Sequence, residues 1–205
     1  VSDSTPELRD SAHLWLDMWS VSELIKDWVQ TKNKTWRPVV IRQVLDDLKP
    51  SLRFAQASEA LYKSFSSELP KHKRKYTRNQ QILVQFESKE DLFNGRQTLS
   101  AKGIETELVD EWAYRSISRD IPWGIPMPEV DPDMAKKTLY VWPDSLIAPI
   151  SFTEAALEAK GEDPSRSAEF WCDPNARIYQ FLGQDNVFFY VLMQAAMWLG
   201  SQADP

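Results

Sequence analysis

Hydrophobic positions recur along the chain in runs whose period changes several times. From Ser20 to Gln30, Val21, Leu24, Ile25 and Trp28 follow helical spacing, with Glu23 and Lys26 on the other side. That pattern predicts an amphipathic helix. Val39 to Leu48 repeats it through Val40, Val44, Leu45 and Leu48, and Pro50 is expected to end it. Upstream, Ser4-Thr5-Pro6-Glu7 reads as a helix start, a polar cap followed by an early proline. His13-Leu14-Trp15-Leu16 reads as a short strand. A further helix is expected from Phe54 to Leu69, ending at Pro70. Ile82 to Phe86 predicts a strand, Ser88 caps a helix from Lys89 to about Ala101, Gly103 stops it, and Ile104 to Val109 predicts a second strand. This strand–helix–strand reads as one small unit, with parallel strands joined by a right-handed crossover.

The last part has an α/β pattern. Leu139 to Trp142 predicts a strand closed by Pro143, Phe152 to Ala159 a helix, and Glu162-Asp163-Pro164 a loop. Ile178-Tyr179-Gln180-Phe181-Leu182 is a strongly apolar strand pattern ending at Gly183. Val187 to Leu199 is apolar nearly all round, so it is expected as a buried helix. A strand, a glycine, an acid and a buried helix make a βα junction, and open α/β sheets bind ligands at the carboxyl ends of their strands.

Composition narrows the picture. Of 205 residues, 42% are hydrophobic and 26% charged, which suits a folded chain with a core. The net charge of −6 argues against a broadly basic nucleic-acid coat and leaves room for a local basic patch. One cysteine and two histidines exclude an internal disulfide and a cysteine-rich zinc site, so no metal is expected and a reducing, cytoplasmic location fits. No apolar run approaches the roughly 20 residues of a membrane helix, and no signal-peptide pattern stands at the start. The chain begins Val-Ser-Asp-Ser, which raises the expectation of a piece of a longer polypeptide. Thirteen prolines cluster most between Pro122 and Pro149, a stretch expected to be rigid, extended and poor in helix.

Charge also divides the chain. Residues 51–110 hold ten Lys/Arg and eight Asp/Glu, a net +2 against −8 for the remainder. The expected organisation is therefore a first segment 1–50, an inserted α/β module 51–110 and an α/β domain 111–205. Within the module, Lys71, His72, Lys73, Arg74, Lys75 and Arg78 form a compact basic run, read as a solvated face with RNA contact as the alternative. His13 and His72 have no partners at metal or triad spacing, and Cys172 has no basic neighbour closer than Arg177. Trp142 is a core residue or a ligand wall, and Asp185 caps the following helix or binds a ligand.

Three ordered stretches resemble the methionyl-tRNA synthetase family of class I aminoacyl-tRNA synthetases. The first is Ser4 to His13. The second is Ser116-Ile117-Ser118-Arg119-Asp120 with Trp123-Gly124-Ile125-Pro126. The third is Tyr140-Val141-Trp142-Pro143-Asp144 followed by Tyr179 to Asp185. The resemblance covers 1–48 and 115–205 and has no counterpart for 51–110. It implies the second half of a Rossmann-type catalytic domain, with connective-region segments before it. It further implies a parent enzyme that activates methionine with ATP and esterifies tRNA. By this resemblance Trp142 lines the amino-acid pocket, and Gly183 and Asp185 approach the adenosine ribose. The residue chemistry agrees: glycine admits a close ligand, a carboxylate accepts two ribose hydroxyls, and an indole suits a thioether.

The sequence departs from the family at defined places. It holds no HIGH-type or KMSKS-type motif and no zinc-knuckle cysteines. Ser145-Leu146 replaces the usual Ala-Pro, and Asn186, Tyr190 and Gln194 stand where the family has an aliphatic residue, a histidine and an aromatic. These three are four residues apart, so they share one face of a regular helix and are expected to converge with Trp142 on one cavity. The expected ligand is then methionine or a more polar amino acid, with ATP and tRNA bound through the parent enzyme. Two alternatives stay open: a non-catalytic binding module derived from a synthetase, and a paralogue that activates another amino acid.

Overall fold

The computed structural model describes residues 8–32, 34–77, 79–128 and 130–202. The helix start at Ser4 to Glu7 and Arg78 of the basic run lie outside them. The chain forms two compact units. An interrupted unit takes the residues up to Met18 and those from Arg115 onward, and an inserted unit runs from Trp19 to Tyr114.

After β1 (Trp15–Asp17) of the interrupted unit, the inserted unit opens with α1 (Ser22–Gln30) and α2 (Pro38–Asp47). Their inward positions include Ile25, Val29, Ile41 and Val44, all buried. Pro38 stands at the first helical position, where its missing N–H costs nothing. The unit continues as β2 (Ser51–Ala55), α3 (Glu59–Phe65), β3 (His72–Tyr76), β4 (Gln81–Phe86), α4 (Lys89–Ala101) and β5 (Glu107–Leu108). The sheet order is β3-β4-β2-β5, with every neighbouring pair antiparallel. A βαββαβ chain in that order has ferredoxin-like topology. Because β4 and β5 are both antiparallel to β2, they run parallel to each other, with β2 lying between them.

One face of this sheet carries the core. Leu52 and Phe54 of β2 and Ile82, Val84 and Phe86 of β4 alternate inward onto Tyr62, Phe65, Leu92 and Leu99 of the two helices. Ser88 Oγ accepts the Asp91 N–H at 3.0 Å, the N-cap that the sequence marks. Gly103 ends the helix at φ +82, a backbone conformation suited to glycine. At Gly95 a Cβ would stand 2.4 Å from Phe86 Cζ, so α4 approaches the sheet through glycine.

Two expectations change here. The helix expected over Phe54 to Leu69 begins only at Glu59, because Ser51 to Ala55 pair with Gln85 to Gln81 as a strand. The basic run is itself a strand, β3, at the edge of the sheet.

The interrupted unit resumes with β6 (Tyr114–Ser116), which pairs with β1, and continues to β7 (Ser118–Arg119) and β8 (Thr138–Leu139), an antiparallel pair. Helix α5 (Val141–Ala159), α6 (Ala168–Trp171) and α7 (Gln194–Gln202) follow. The strand expected over Leu139 to Trp142 stops at Leu139, and Val141 already begins α5. Pro143 falls in the first helical turn, where no intrahelical N–H is needed. The same helix runs through Pro149, so the proline-rich stretch lacks helix only up to Tyr140, apart from a short 3-10 turn at Pro132–Met134. Thr153 Oγ1 donates to the Pro149 carbonyl at 2.8 Å.

The strand expected over Ile178 to Leu182 does not form: these residues belong to no helix or strand. Phe181 is 97% exposed and Tyr179 74%, so the apolar run has no sheet to join. The helix expected from Val187 to Leu199 is present with altered pitch. A 3-10 turn at Gln184–Asn186 passes into a π-type turn at Phe188–Met193 and then into α7. Val187, Val191, Leu192, Met193 and Ala196 are buried. The fold class is mixed α/β.

Candidate functional site

The candidate residues of the interrupted unit lie on the start of α5 and on the turn from Gly183 into α7. Trp142, the second residue of α5, stacks face to face on Phe189 with ring centroids 4.0 Å apart and planes 7° from parallel. Phe188 meets Phe189 edge-on at 5.4 Å, and the Arg115 guanidinium lies 4.6 Å from the Phe188 ring centroid. Burial draws the Arg115 pKa below its ordinary value. Arg119 sits 3.5 Å over the Tyr140 ring while its Nη1 donates to the Ser118 carbonyl at 2.7 Å. Cation–π pairs of this kind fix aromatic rings through the ring quadrupole.

Gly183, Asp185 and Asn186 are brought together by the 3-10 turn. Asn186 N–H donates to the Gly183 carbonyl at 3.0 Å. The place of a Gly183 Cβ is 2.6 Å from Asp185 Oδ1 and 3.9 Å from Asn186 Nδ2. A side chain at 183 would therefore meet the Asp185 carboxylate. Gly183 has φ −67, so its value here is space rather than backbone freedom. Asp185 is exposed and makes no hydrogen bond or ion pair with a described residue, and no side chain caps this turn. Its carboxylate is open to a ligand.

Gln194 is committed elsewhere: its Nε2 donates to the Leu146 carbonyl of α5 at 2.7 Å. Tyr190 and Asn186 are half-buried. From Asn186 through Tyr190 to Gln194 the chain passes from a 3-10 turn through a π-type turn into α7, so the pitch is not that of one regular helix. Sequence reasoning did not single out Phe189 as a partner of Trp142. The π-type turn that carries it leaves no helical periodicity to read.

A second cluster was also missed. His13 Nδ1 lies 3.0 Å from Ser118 Oγ, and its Nε2 lies 3.6 Å from Asp120 Oδ2. Lys137 Nζ donates to Asp120 Oδ1 at 2.5 Å and to Ser11 Oγ at 3.0 Å, and Ser11 Oγ donates to Asp120. Hydrogen bonds from Lys137 and then from Ser11 hold the Asp120 carboxyl below the usual carboxylate range. The residue types are those of a serine–histidine–aspartate triad, but the arrangement is not one. Ser118 is fully buried and its Oγ accepts the Leu14 N–H at 3.0 Å, so it cannot meet a substrate. The cluster ties the start of the chain to the strand that follows the insertion. His72 likewise has partners, Tyr62 Oη at 2.6 Å and the Pro70 carbonyl at 2.7 Å.

Among the described residues no three His, Cys, Asp or Glu side chains are grouped to hold a metal ion. No described helix is long and apolar enough to cross a membrane.

An open glycine–aspartate turn leading into a buried helix, beside an aromatic stack at a helix start, fits an α/β nucleotide-binding fold. Comparison with known proteins gives its class: the family described as tRNA synthetases class I (M) matches residues 79–205. The chain belongs to that family. Its relatives are methionine–tRNA ligases. That of Pelodictyon phaeoclathratiforme is 41% identical over 197 residues, covering 96% of this chain and 19% of the relative. That of Chlorobium phaeobacteroides is 28% identical over 197 residues, again 96% and 19%. That of Rubrobacter xylanophilus is 43% identical over 90 residues, 44% of this chain and 15% of the relative. The chain thus spans about a fifth or less of the length of these relatives.

Proposed function

We propose that this chain is part of an ATP-dependent aminoacyl-tRNA synthetase of the methionyl type, working in the cytoplasm. Its interrupted unit contributes to amino-acid and adenosine binding. The observation that carries the reading is the Gly183–Asp185 turn, an uncommitted carboxylate folded over a glycine at the head of a buried helix. In that role Asp185 accepts hydrogen bonds from the ribose hydroxyls of ATP, and Gly183 leaves room for the sugar. Trp142, backed by Phe189, forms an aromatic wall for a methionine thioether. Asn186, Tyr190 and Gln194 complete the amino-acid pocket, and tRNA receives the activated amino acid. ATP and methionine are substrates here, and no metal is assigned to the chain.

The test is a comparison of adenosine with 2′-deoxyadenosine by ligand-observed NMR on the chain and on Asp185→Asn. Adenosine should bind about tenfold more tightly, the worth of one charge-assisted hydrogen bond of ~1.5 kcal/mol. The preference should vanish in the variant. Equal binding of both nucleosides by both proteins contradicts the assignment.

A paralogue with a more polar amino-acid substrate is the second reading, favoured by the half-buried Asn186 and Tyr190. Gln194 weighs the other way, because one of its two amide N–H donors is already taken by the Leu146 carbonyl. An unpaired amide against a thioether costs roughly 1–3 kcal/mol. Calorimetry with methionine and a panel of polar amino acids separates the two. Methionine binding that weakens in Trp142→Ala supports the methionyl type, and tighter binding of a polar amino acid supports the paralogue.

A further inference from the structure

The two units differ in charge. The inserted unit, Trp19 to Tyr114, holds sixteen Lys/Arg and thirteen Asp/Glu, a net +3, while the rest of the chain carries −9. The excess is concentrated at one side of the sheet. On the edge strand β3, Lys73 and Lys75 stand opposite Gln85 and Leu83, positions that alternate away from the core residues Val84 and Phe86. Both lysines are exposed, as is Lys71 just before the strand. Arg42 of α2 and Lys49 just after it, with Lys73, line an open depression of about 360 Å³. Asp46 lines it too, 3.6 Å from Lys49 and 3.9 Å from Lys75. Arg42, Lys71 and Lys73 make no ion pair with a described residue. Burial and the charge of Asp46 push the neighbouring Asp47 above the usual carboxylate range.

We infer that this face of the inserted unit, β3 with the rim of α2, is a docking surface for the phosphate backbone of duplex RNA. An extended strand places Lys73 and Lys75 about 6.7 Å apart on one face. That gives a regular row of point charges that meets a run of phosphates without reading sequence. The same face offers no ring for base stacking: its sheet positions are Ser51 and Gln85, both buried, Arg53, Ala55, Gln81, Leu83 and the two lysines, while Glu107 of β5, paired to Arg53, stands at the opposite edge from β3. Single-strand binders of this kind of sheet rely on stacked bases, so a duplex backbone is the matching form. The choice of RNA over an acidic protein rests on the synthetase reading; the charged face itself does not.

The experiment is fluorescence anisotropy of the full chain with a short labelled RNA duplex across a salt series, with poly-glutamate as a competing probe. The variants are Lys73→Gln/Lys75→Gln on the face and Lys102→Gln, which pairs with Glu68 at 2.9 Å, as a control. Circular dichroism melts check that each variant folds. The duplex should bind, and the double variant should weaken binding about tenfold at low salt and lower the salt slope by roughly two, one per phosphate contact. Lys102→Gln should leave both unchanged. Equal losses from control and double variant, an unchanged slope, or binding of poly-glutamate without RNA would overturn the inference. Adenosine binding through Asp185 is measured on the same samples. Nucleoside binding without RNA binding defeats this inference alone, and RNA binding without nucleoside binding defeats the Asp185 assignment alone.

Discussion

The inserted unit and the interrupted unit use extended chain in opposite ways. In the inserted unit β2 and β4 pair residue by residue from Ser51–Gln85 to Ala55–Gln81, and β3 covers the far side of β4 from His72–Phe86 to Tyr76–Ile82. Their inward residues meet helices from the same short stretch of chain. In the interrupted unit the β7–β8 ladder spans only Ser118–Leu139 and Arg119–Thr138. Its most apolar extended run, Ile178 to Leu182, joins no strand. The difference follows from topology. An antiparallel βαββαβ sheet finds its partners within a short stretch of chain, whereas Ile178 to Leu182 pair with no described strand. One unit closes its sheet on its own helices; the other leaves its most apolar extended run exposed.

The largest effect expected from this contrast is on activity. The chain alone should show no methionine-dependent ATP–pyrophosphate exchange, because even if the Gly183–Asp185 turn holds a ribose as proposed, a site without fixed charges on the phosphates lacks the main source of rate, roughly 3–4 kcal/mol per group. Robust exchange that Asp185→Ala abolishes would break the contrast. Next comes stability. Phe86→Ala, at a fully buried ring, should cost the inserted unit about 3–5 kcal/mol, while Phe181→Ala should change stability by less than about 0.5 kcal/mol. Urea unfolding followed unit by unit reads both, and comparable losses would mean that Phe181 packs. Gly95→Ala sharpens the same point. Its methyl would drive into Phe86, and the strain of about 1–3 kcal/mol should outweigh the helix propensity gained. A stabilised variant would show that the ring has room to move.

Acid should act on the two units with opposite sign. Asp120, whose folded pKa is depressed, contributes stability above the ordinary aspartate pKa of about 3.9 and loses it as pH falls through the folded value. Asp47, whose folded pKa is raised, favours the folded state below about 3.9 and loses that contribution as pH rises through its folded value. Carboxyl carbon NMR titration should find Asp120 below and Asp47 above the ordinary value, with Lys137→Met raising the first and Asp46→Asn lowering the second. Two ordinary titrations would remove the contrast.

Much of this was legible from residue pattern, and the failures have physical causes. The helix periods at Ser22–Gln30 and Pro38–Asp47 and the Ser88 cap of α4 are local signals, and the structure keeps them. Strand β2 was hidden because Phe54, Leu61 and Phe65 also fit a helical period; the antiparallel partner Gln81 to Phe86 decided for a strand. Strand β3 carries no aliphatic residue at all. Its core-side positions are His72, Arg74 and Tyr76, held by Tyr62 and Glu59, so no apolar alternation announces it. At Trp142 the residue types favour a strand, yet proline is at home in a first helical turn and α5 starts there. The Gly183–Asp185 turn was legible as a motif. The Trp142–Phe189 stack was not, since it depends on a π-type turn that no spacing rule foretells.

The contrast between a self-closed unit and an open one is tested most directly by native-state amide hydrogen exchange of the intact chain, read residue by residue. The account predicts that β2 and β4 exchange only through opening of the whole inserted unit, while Ile178 to Leu182 exchange near the rate of an unstructured peptide. Protection over Ile178 to Leu182 equal to that of Ile82 to Phe86 would contradict it.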